Sequence, residues 1–105
     1  MTLDRAIGEK AGDADETGEA RLKRMRMRSW RRGTKEMDLV LGPFADARLA
    51  GMDEAALRLY DRLLTENDQD LMAWILGTAP APDWIRPVLD EVATFAKTRL
   101  RRQNG

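Results

Sequence analysis

From residue 19 to residue 102 the apolar residues recur at three- and four-residue intervals. The runs are cut at Gly33, Gly51, Glu66-Asn67-Asp68, Gly77 and Ala79-Pro80-Ala81-Pro82. That period places apolar side chains on one face of an α-helix. No stretch alternates apolar and polar residues as a half-buried strand does, and no internal repeat is present. The chain is therefore expected to be all-α, a small bundle of five short helices joined by brief loops.

A length of 105 residues suits one domain with a single modest core. The sequence contains no Cys and no His. A disulfide framework, a thiolate metal site and a cysteine nucleophile are excluded. So are Ser-His-Asp, Cys-His and zinc-hydrolase arrangements, and with them the commonest general base near neutral pH. No catalytic, metal-binding or cofactor-binding residue is assigned. No window approaches the roughly eighteen apolar residues of a membrane span. The N-terminus lacks the apolar core of a secretory signal, and its Asp4, Glu9, Asp13, Asp15 and Glu16 are unlike a transit peptide. A cytoplasmic protein with no membrane partner is expected.

Residues 1–18 are polar and acidic, with Met1, Leu3 and Ile7 as their only sizeable apolar residues, and read as a flexible tail ahead of a domain at 19–105. The first helix is expected at 19–32, held by Leu22, Met25 and Trp30, with Gly33 as its terminator. Thr34 caps a second helix at 35–49 whose inner face is Met37, Val40, Leu41 and Phe44. Gly42-Pro43 falls inside it, so a kink or a division into two is expected there. Asp53 caps a third helix at 54–65, with Leu57, Leu59, Tyr60, Leu63 and Leu64 inward. A fourth, at 69–77, buries Leu71, Trp74 and Ile75 and ends at Gly77. Asp83 caps the last, at 84–102, with Trp84, Val88, Val92, Phe95 and Ala96 inward; Pro87 moves its regular part toward Arg86.

The formal net charge is zero but unevenly spread. Residues 21–35 carry eight Lys/Arg and no acid, whereas residues 36–70 carry nine Asp/Glu and three Arg. Such polarity points to a charged partner. Clustered cations suit phosphates, yet the segment lacks base-reading Asn or Gln and offers only Trp30 for stacking. A nucleic-acid module, a docking surface for an acidic protein, and an ordinary solvated helix face all remain open from charge alone. Glu36 with Asp38, and Asp68 with Asp70, do not form catalytic pairs, because residues two apart on a helix do not face each other. First-turn acids are ordinary dipole and capping residues.

The boundary between the basic and acidic segments is Arg31-Arg32-Gly33-Thr34-Lys35-Glu36. Local physics reads it as one helix ending and the next beginning. It sets Arg32 and Glu36 on the surface, with no partner visible in the sequence. Ser29-Trp30-Arg31-Arg32-Gly33-Thr34-Lys35-Glu36-Met37-Asp38-Leu39 resembles the signature of the succinate dehydrogenase FAD assembly factor family, whose core Arg-Gly-x-x-Glu is matched by Arg32, Gly33 and Glu36. The resemblance continues at Leu41-Gly42-Pro43-Phe44-Ala45-Asp46, Tyr60-Asp61-Arg62-Leu63-Leu64 and Asp68-Gln69-Asp70-Leu71-Met72-Ala73-Trp74. It covers roughly residues 22–78. Gln69 departs from the family pattern, which often has Pro between the two acids.

The resemblance implies a five-helix, mostly antiparallel domain that acts as an assembly chaperone and not as an enzyme. Its partner would be the flavoprotein subunit of succinate dehydrogenase, and of its fumarate reductase relative. It would promote covalent attachment of FAD to a client histidine, acting on the client's FAD without a bound cofactor of its own. Carried onto this sequence, the partner-binding residues are Arg32, Gly33 and Glu36, flanked by Trp30 and Arg31. The reading from another class is a nucleic-acid-binding or general protein-interaction module built on residues 21–35.

Overall fold

A computed structural model describes residues 16–104. Five α-helices follow one another: α1 (Gly18–Trp30), α2 (Lys35–Arg48), α3 (Glu54–Leu63), α4 (Asp68–Leu76) and α5 (Arg86–Asn104). Short 3-10 turns at Leu49–Gly51 and Asp83–Ile85 lead out of α2 and into α5. Among the described residues there is no strand, so the all-α expectation holds. Residues 1–15 of the expected tail lie outside the described residues. Its last three residues belong to the helical unit: Glu16 pairs with Arg24, Thr17 caps α1 by accepting from the Ala20 N–H at 3.0 Å, and Gly18 opens the helix.

Helix starts follow local capping chemistry. Thr34 Oγ1 accepts from the Met37 N–H at 3.3 Å, and Asp53 Oδ1 from the Ala56 N–H at 2.8 Å. Asn67 Oδ1 accepts from Gln69 N–H at 2.7 Å to open α4, and Gly77 closes that helix at φ +80°. The Asp83 expectation is corrected. Asp83 is the first residue of a 3-10 turn without a side-chain cap, and α5 begins at Arg86. Pro82 and Pro87 bracket this turn and restrict how a regular helix can start there.

The division expected at Gly42-Pro43 does not form either, since α2 runs continuously from Lys35 to Arg48. The carbonyl that loses its donor is that of Leu39, a residue 53 % exposed, where water is at hand. Gly42 has a packing role instead. A Cβ there would clash with the Trp30 ring, so the indole rests directly on the α2 backbone.

One core joins all five helices. Met25, Phe44, Leu49, Tyr60, Leu71 and Val92 are among its fully buried members. Helix α1 packs along α2, and α5 touches α2, α3 and α4. Phe44 stacks at an angle on Tyr60 and edge-on against Phe95, with centroids 5.6 and 5.7 Å away. Ile85 and Leu89 are buried beside the expected Val88 and Val92, while Trp74, Trp84 and Phe95 are half-buried against the core. Ser29 is fully buried within the α1 stripe. Its hydroxyl donates to the Met25 carbonyl at 2.8 Å and meets the Tyr60 hydroxyl at 2.6 Å, so neither polar group is stranded.

Candidate protein-docking junction

The basic segment divides into cations that the body consumes and cations that it leaves outward. Arg21 bonds Glu54 at 2.9 Å. Arg24 forms a two-pronged bond with Asp61, at 2.9 and 2.8 Å, and reaches Glu16 with Nε at 2.9 Å and Nη2 at 3.1 Å. These carboxylates, Asp61 foremost, hold the Arg24 guanidinium protonated even more firmly than usual. Asp61 is almost fully buried, so the fork also neutralises a charge that could not stand there alone. Arg21 and Arg24 thereby fasten α1 to α3.

Arg32 belongs to the same group, and this corrects the expectation that it stands on the surface without a partner. Its side chain is 8 % exposed. Nε donates to Asp68 Oδ1 at 2.8 Å, Nη1 to the Leu64 carbonyl at 2.6 Å and Nη2 to the Glu66 carbonyl at 2.7 Å. Its own backbone N–H donates to Asp38 Oδ1 at 2.6 Å. Arg32 thus ties the α1–α2 junction to the α3–α4 loop. The planar fork suits this task, since it satisfies two carbonyls and a carboxylate in one plane. It also places a cation just past the C-terminal end of α3, where the helix dipole favours one.

Held by that latch, the rest of the junction faces solvent. Arg31, Gly33, Thr34, Lys35 and Glu36 are all exposed. Gly33 has φ +114°, a conformation that favours glycine, and a Cβ built on it would meet nothing within 4 Å. Trp30 is 39 % exposed. Its indole lies on Gly42 and its Nε1–H donates to Asp46 Oδ2 at 3.2 Å. Two grooves open beside the latch. One, about 310 Å³, is lined by Met27, Arg28, Arg31 and Arg32. The other, about 210 Å³, is lined by Thr34, Glu36, Met37, Asp68, Gln69 and Met72.

The structure therefore brings Trp30, Arg31, Gly33 and Glu36 together on one exposed junction and turns Arg32 inward beneath it. Met27, Arg28 and Asp68 border the same surface, and the sequence did not mark them as part of it, Asp68 having been read only as a first-turn acid. Met27 had a signal, being one turn before Trp30 and Arg31 on the helix. Asp68 had none, because its partner lies 36 residues away. Among the described residues no helix is long and apolar enough to cross a membrane.

Fold and junction together define a small helical domain whose charged groups lock its own elements while the junction itself stays exposed. The chain belongs to the family described as flavinator of succinate dehydrogenase, which matches residues 23–96. That match reaches well into α5, beyond the 22–78 covered by the motif blocks. Relatives include succinate dehydrogenase assembly factor 2, mitochondrial, of Danio rerio, 36 % identical over 98 residues, which are 90 % of this chain and 60 % of the relative. The Schizosaccharomyces pombe protein of the same name is 40 % identical over 68 residues, 65 % of this chain and 49 % of the relative. The FAD assembly factor SdhE of Legionella pneumophila is 45 % identical over 47 residues, 45 % of this chain and 60 % of the relative. These matches span half to three-fifths of the relatives' own lengths. No solved structure matches the chain.

Proposed function

We propose that this chain is an assembly chaperone that binds the flavoprotein subunit of succinate dehydrogenase and promotes covalent attachment of FAD to it. The observation that carries this reading is the junction itself. The family's Arg-Gly-x-x-Glu core falls where Arg32 locks the loop from below and Gly33 and Glu36 stand exposed above it. Gly33, with open space around it, lets a client backbone approach closely. Glu36 and Arg31 supply charged hydrogen bonds that fix register. Trp30 contributes a rigid apolar face.

The chemistry belongs to the client. This chain has no His or Cys to serve as the usual base or nucleophile. Its role is to bind the client conformer in which the acceptor histidine and the flavin are aligned, and so to raise that conformer's population. The fumarate reductase flavoprotein is a second client under the same proposal. A cytoplasmic site of action belongs to the same proposal, whereas the Danio rerio and Schizosaccharomyces pombe relatives are mitochondrial assembly factors by name.

The test is complex formation with purified FAD-free flavoprotein subunit, followed by size-exclusion chromatography with light scattering. A stable complex that Gly33→Arg abolishes is expected, with the variant's helix content unchanged. Equal binding by wild type and Gly33→Arg would remove the junction from the interface.

A further inference from the structure

We propose that the groove of Met27, Arg28 and Arg31 receives an acidic segment of the client polypeptide; this rests on the assembly reading above and assigns that partner's chemistry. Three observations carry it. The first is the division of charge. Arg21, Arg24 and Arg32 are consumed by Glu54, Asp61, Glu16 and Asp68, whereas no carboxylate among the described residues lies within 4 Å of Arg28 or Arg31. The second is the lining. Two arginines with uncommitted guanidinium groups face a groove of about 310 Å³ that contains no acid, and the only other cation there, Arg32, is already bonded from below. The third is the apolar surface beside it. Met27 is 45 % exposed and Trp30 39 %, at i and i+3 on α1, and Arg31 follows at i+4 on the same side. The Gly42 contact and the Asp46 bond fix the Trp30 ring, so this platform is ready before a partner arrives.

The combination fits a chain whose carboxylates pair with Arg28 and Arg31 while an apolar side chain rests on Met27 and Trp30. A polynucleotide fits less well. It gains little from an apolar platform, whereas here the two arginines border the exposed Met27 and Trp30 side chains.

The experiment uses the full chain and the purified flavoprotein subunit, titrated by calorimetry at about 50 and 300 mM salt, where screening lengths differ by more than a factor of two. Wild type, Arg28→Glu/Arg31→Glu and Gly33→Arg are compared, each first shown to be folded at the assay temperature, Gly33→Arg with the loss of stability that φ +114° imposes on any side chain. The double variant is expected to bind at least about tenfold more weakly at low salt, with a smaller salt dependence, because attraction has become repulsion. A second arm uses Arg31→Lys with a carbodiimide, which condenses a lysine amine with a carboxylate, releasing water to the reagent as its urea. Mass spectrometry is expected to find the amine that Arg31→Lys introduces joined to an Asp or Glu of the client.

Three outcomes would overturn the inference. One is wild-type affinity in the double variant while Gly33→Arg still abolishes binding, which leaves the assembly reading standing on Gly33 and Glu36 without Arg31. Another is coupling from other lysines but none from position 31. The third is salt-steep binding of duplex DNA or RNA that the double variant loses, which would hand the groove to a nucleic acid. Absence of any wild-type binding to the flavoprotein subunit would overturn the assembly reading, and this inference with it.

Discussion

Replacing Arg32 with Ala removes a side chain that looks, from its place in a charged surface motif, like a client contact. The structure gives a different expectation: loss of stability. The guanidinium bonds two backbone carbonyls and one carboxylate while only 8 % of the side chain is exposed. A hydrogen bond involving a charged group contributes about 1.5–3 kcal/mol, and breaking a buried pair costs about 3–5 kcal/mol. Asp68 keeps 17 % of its side-chain exposure, so water will partly replace the lost partner. The net cost is therefore set near the lower end, at about 3 kcal/mol. For a domain of this size that corresponds to a fall in Tm of about 12–24 °C. Urea unfolding followed by circular dichroism measures it directly. Arg32→Lys should recover less than half, because one ammonium cannot reach all three acceptors. A double-mutant cycle with Asp68→Ala should show coupling above about 1 kcal/mol. An Arg32→Ala variant within about 0.5 kcal/mol of wild type, the range of an ordinary surface substitution, would refute the latch.

Gly33→Ala should lose about 1 kcal/mol, because φ +114° strains any side chain although nothing blocks its Cβ; chemical denaturation reads the loss. Gly42→Ala should drive the Trp30 indole off α2 and break its bond to Asp46, red-shifting Trp30 emission relative to a Trp30→Phe background. The stability change should stay within about 1 kcal/mol, since alanine's better helix propensity offsets part of the lost packing. Burial pushes the phenol of Tyr60, the sole tyrosine, above its ordinary value of about 10, outweighing the Ser29 hydrogen bond that lowers it. The folded protein then holds this proton longer than the unfolded chain. Stability tied to Tyr60 should be intact below pH about 10 and fall as pH rises beyond it, with phenolate absorbance appearing together with loss of helix. Tyr60→Phe should remove that alkaline dependence at a cost of about 1 kcal/mol.

What could be read from the sequence was what is decided within a few residues. Thr34 and Asp53 cap because their side chains reach N–H groups three residues on, and Gly77 ends α4 through its own backbone freedom. The inward faces of α2 and α3 followed from spacing alone. What escaped depends on residues brought together only by folding. Arg24 meets Asp61 across 37 residues and Arg32 meets Asp68 across 36, and no local pattern marks either pair. The Gly42-Pro43 pair shows the limit well. Read locally it is a breaker, but in the fold its glycine makes room for an indole from the preceding helix. That one helix ends and the next begins between Arg31 and Thr34 was legible in the sequence. The division of labour inside this junction, Arg32 inward and Gly33 and Glu36 outward, could be assigned only once the α3–α4 loop was known to lie beneath.

The most direct measurement is covalent flavin on the client. The cognate succinate dehydrogenase flavoprotein subunit is expressed with and without this chain, and protein-bound flavin fluorescence is read in a denaturing gel. Wild type should raise the signal, while Gly33→Arg and Glu36→Ala should return it toward the level without the chain, both variants remaining folded. An unchanged signal with a folded wild-type chain and a competent client would contradict the assembly role. A full signal from Gly33→Arg and Glu36→Ala would contradict the placing of that role at the junction.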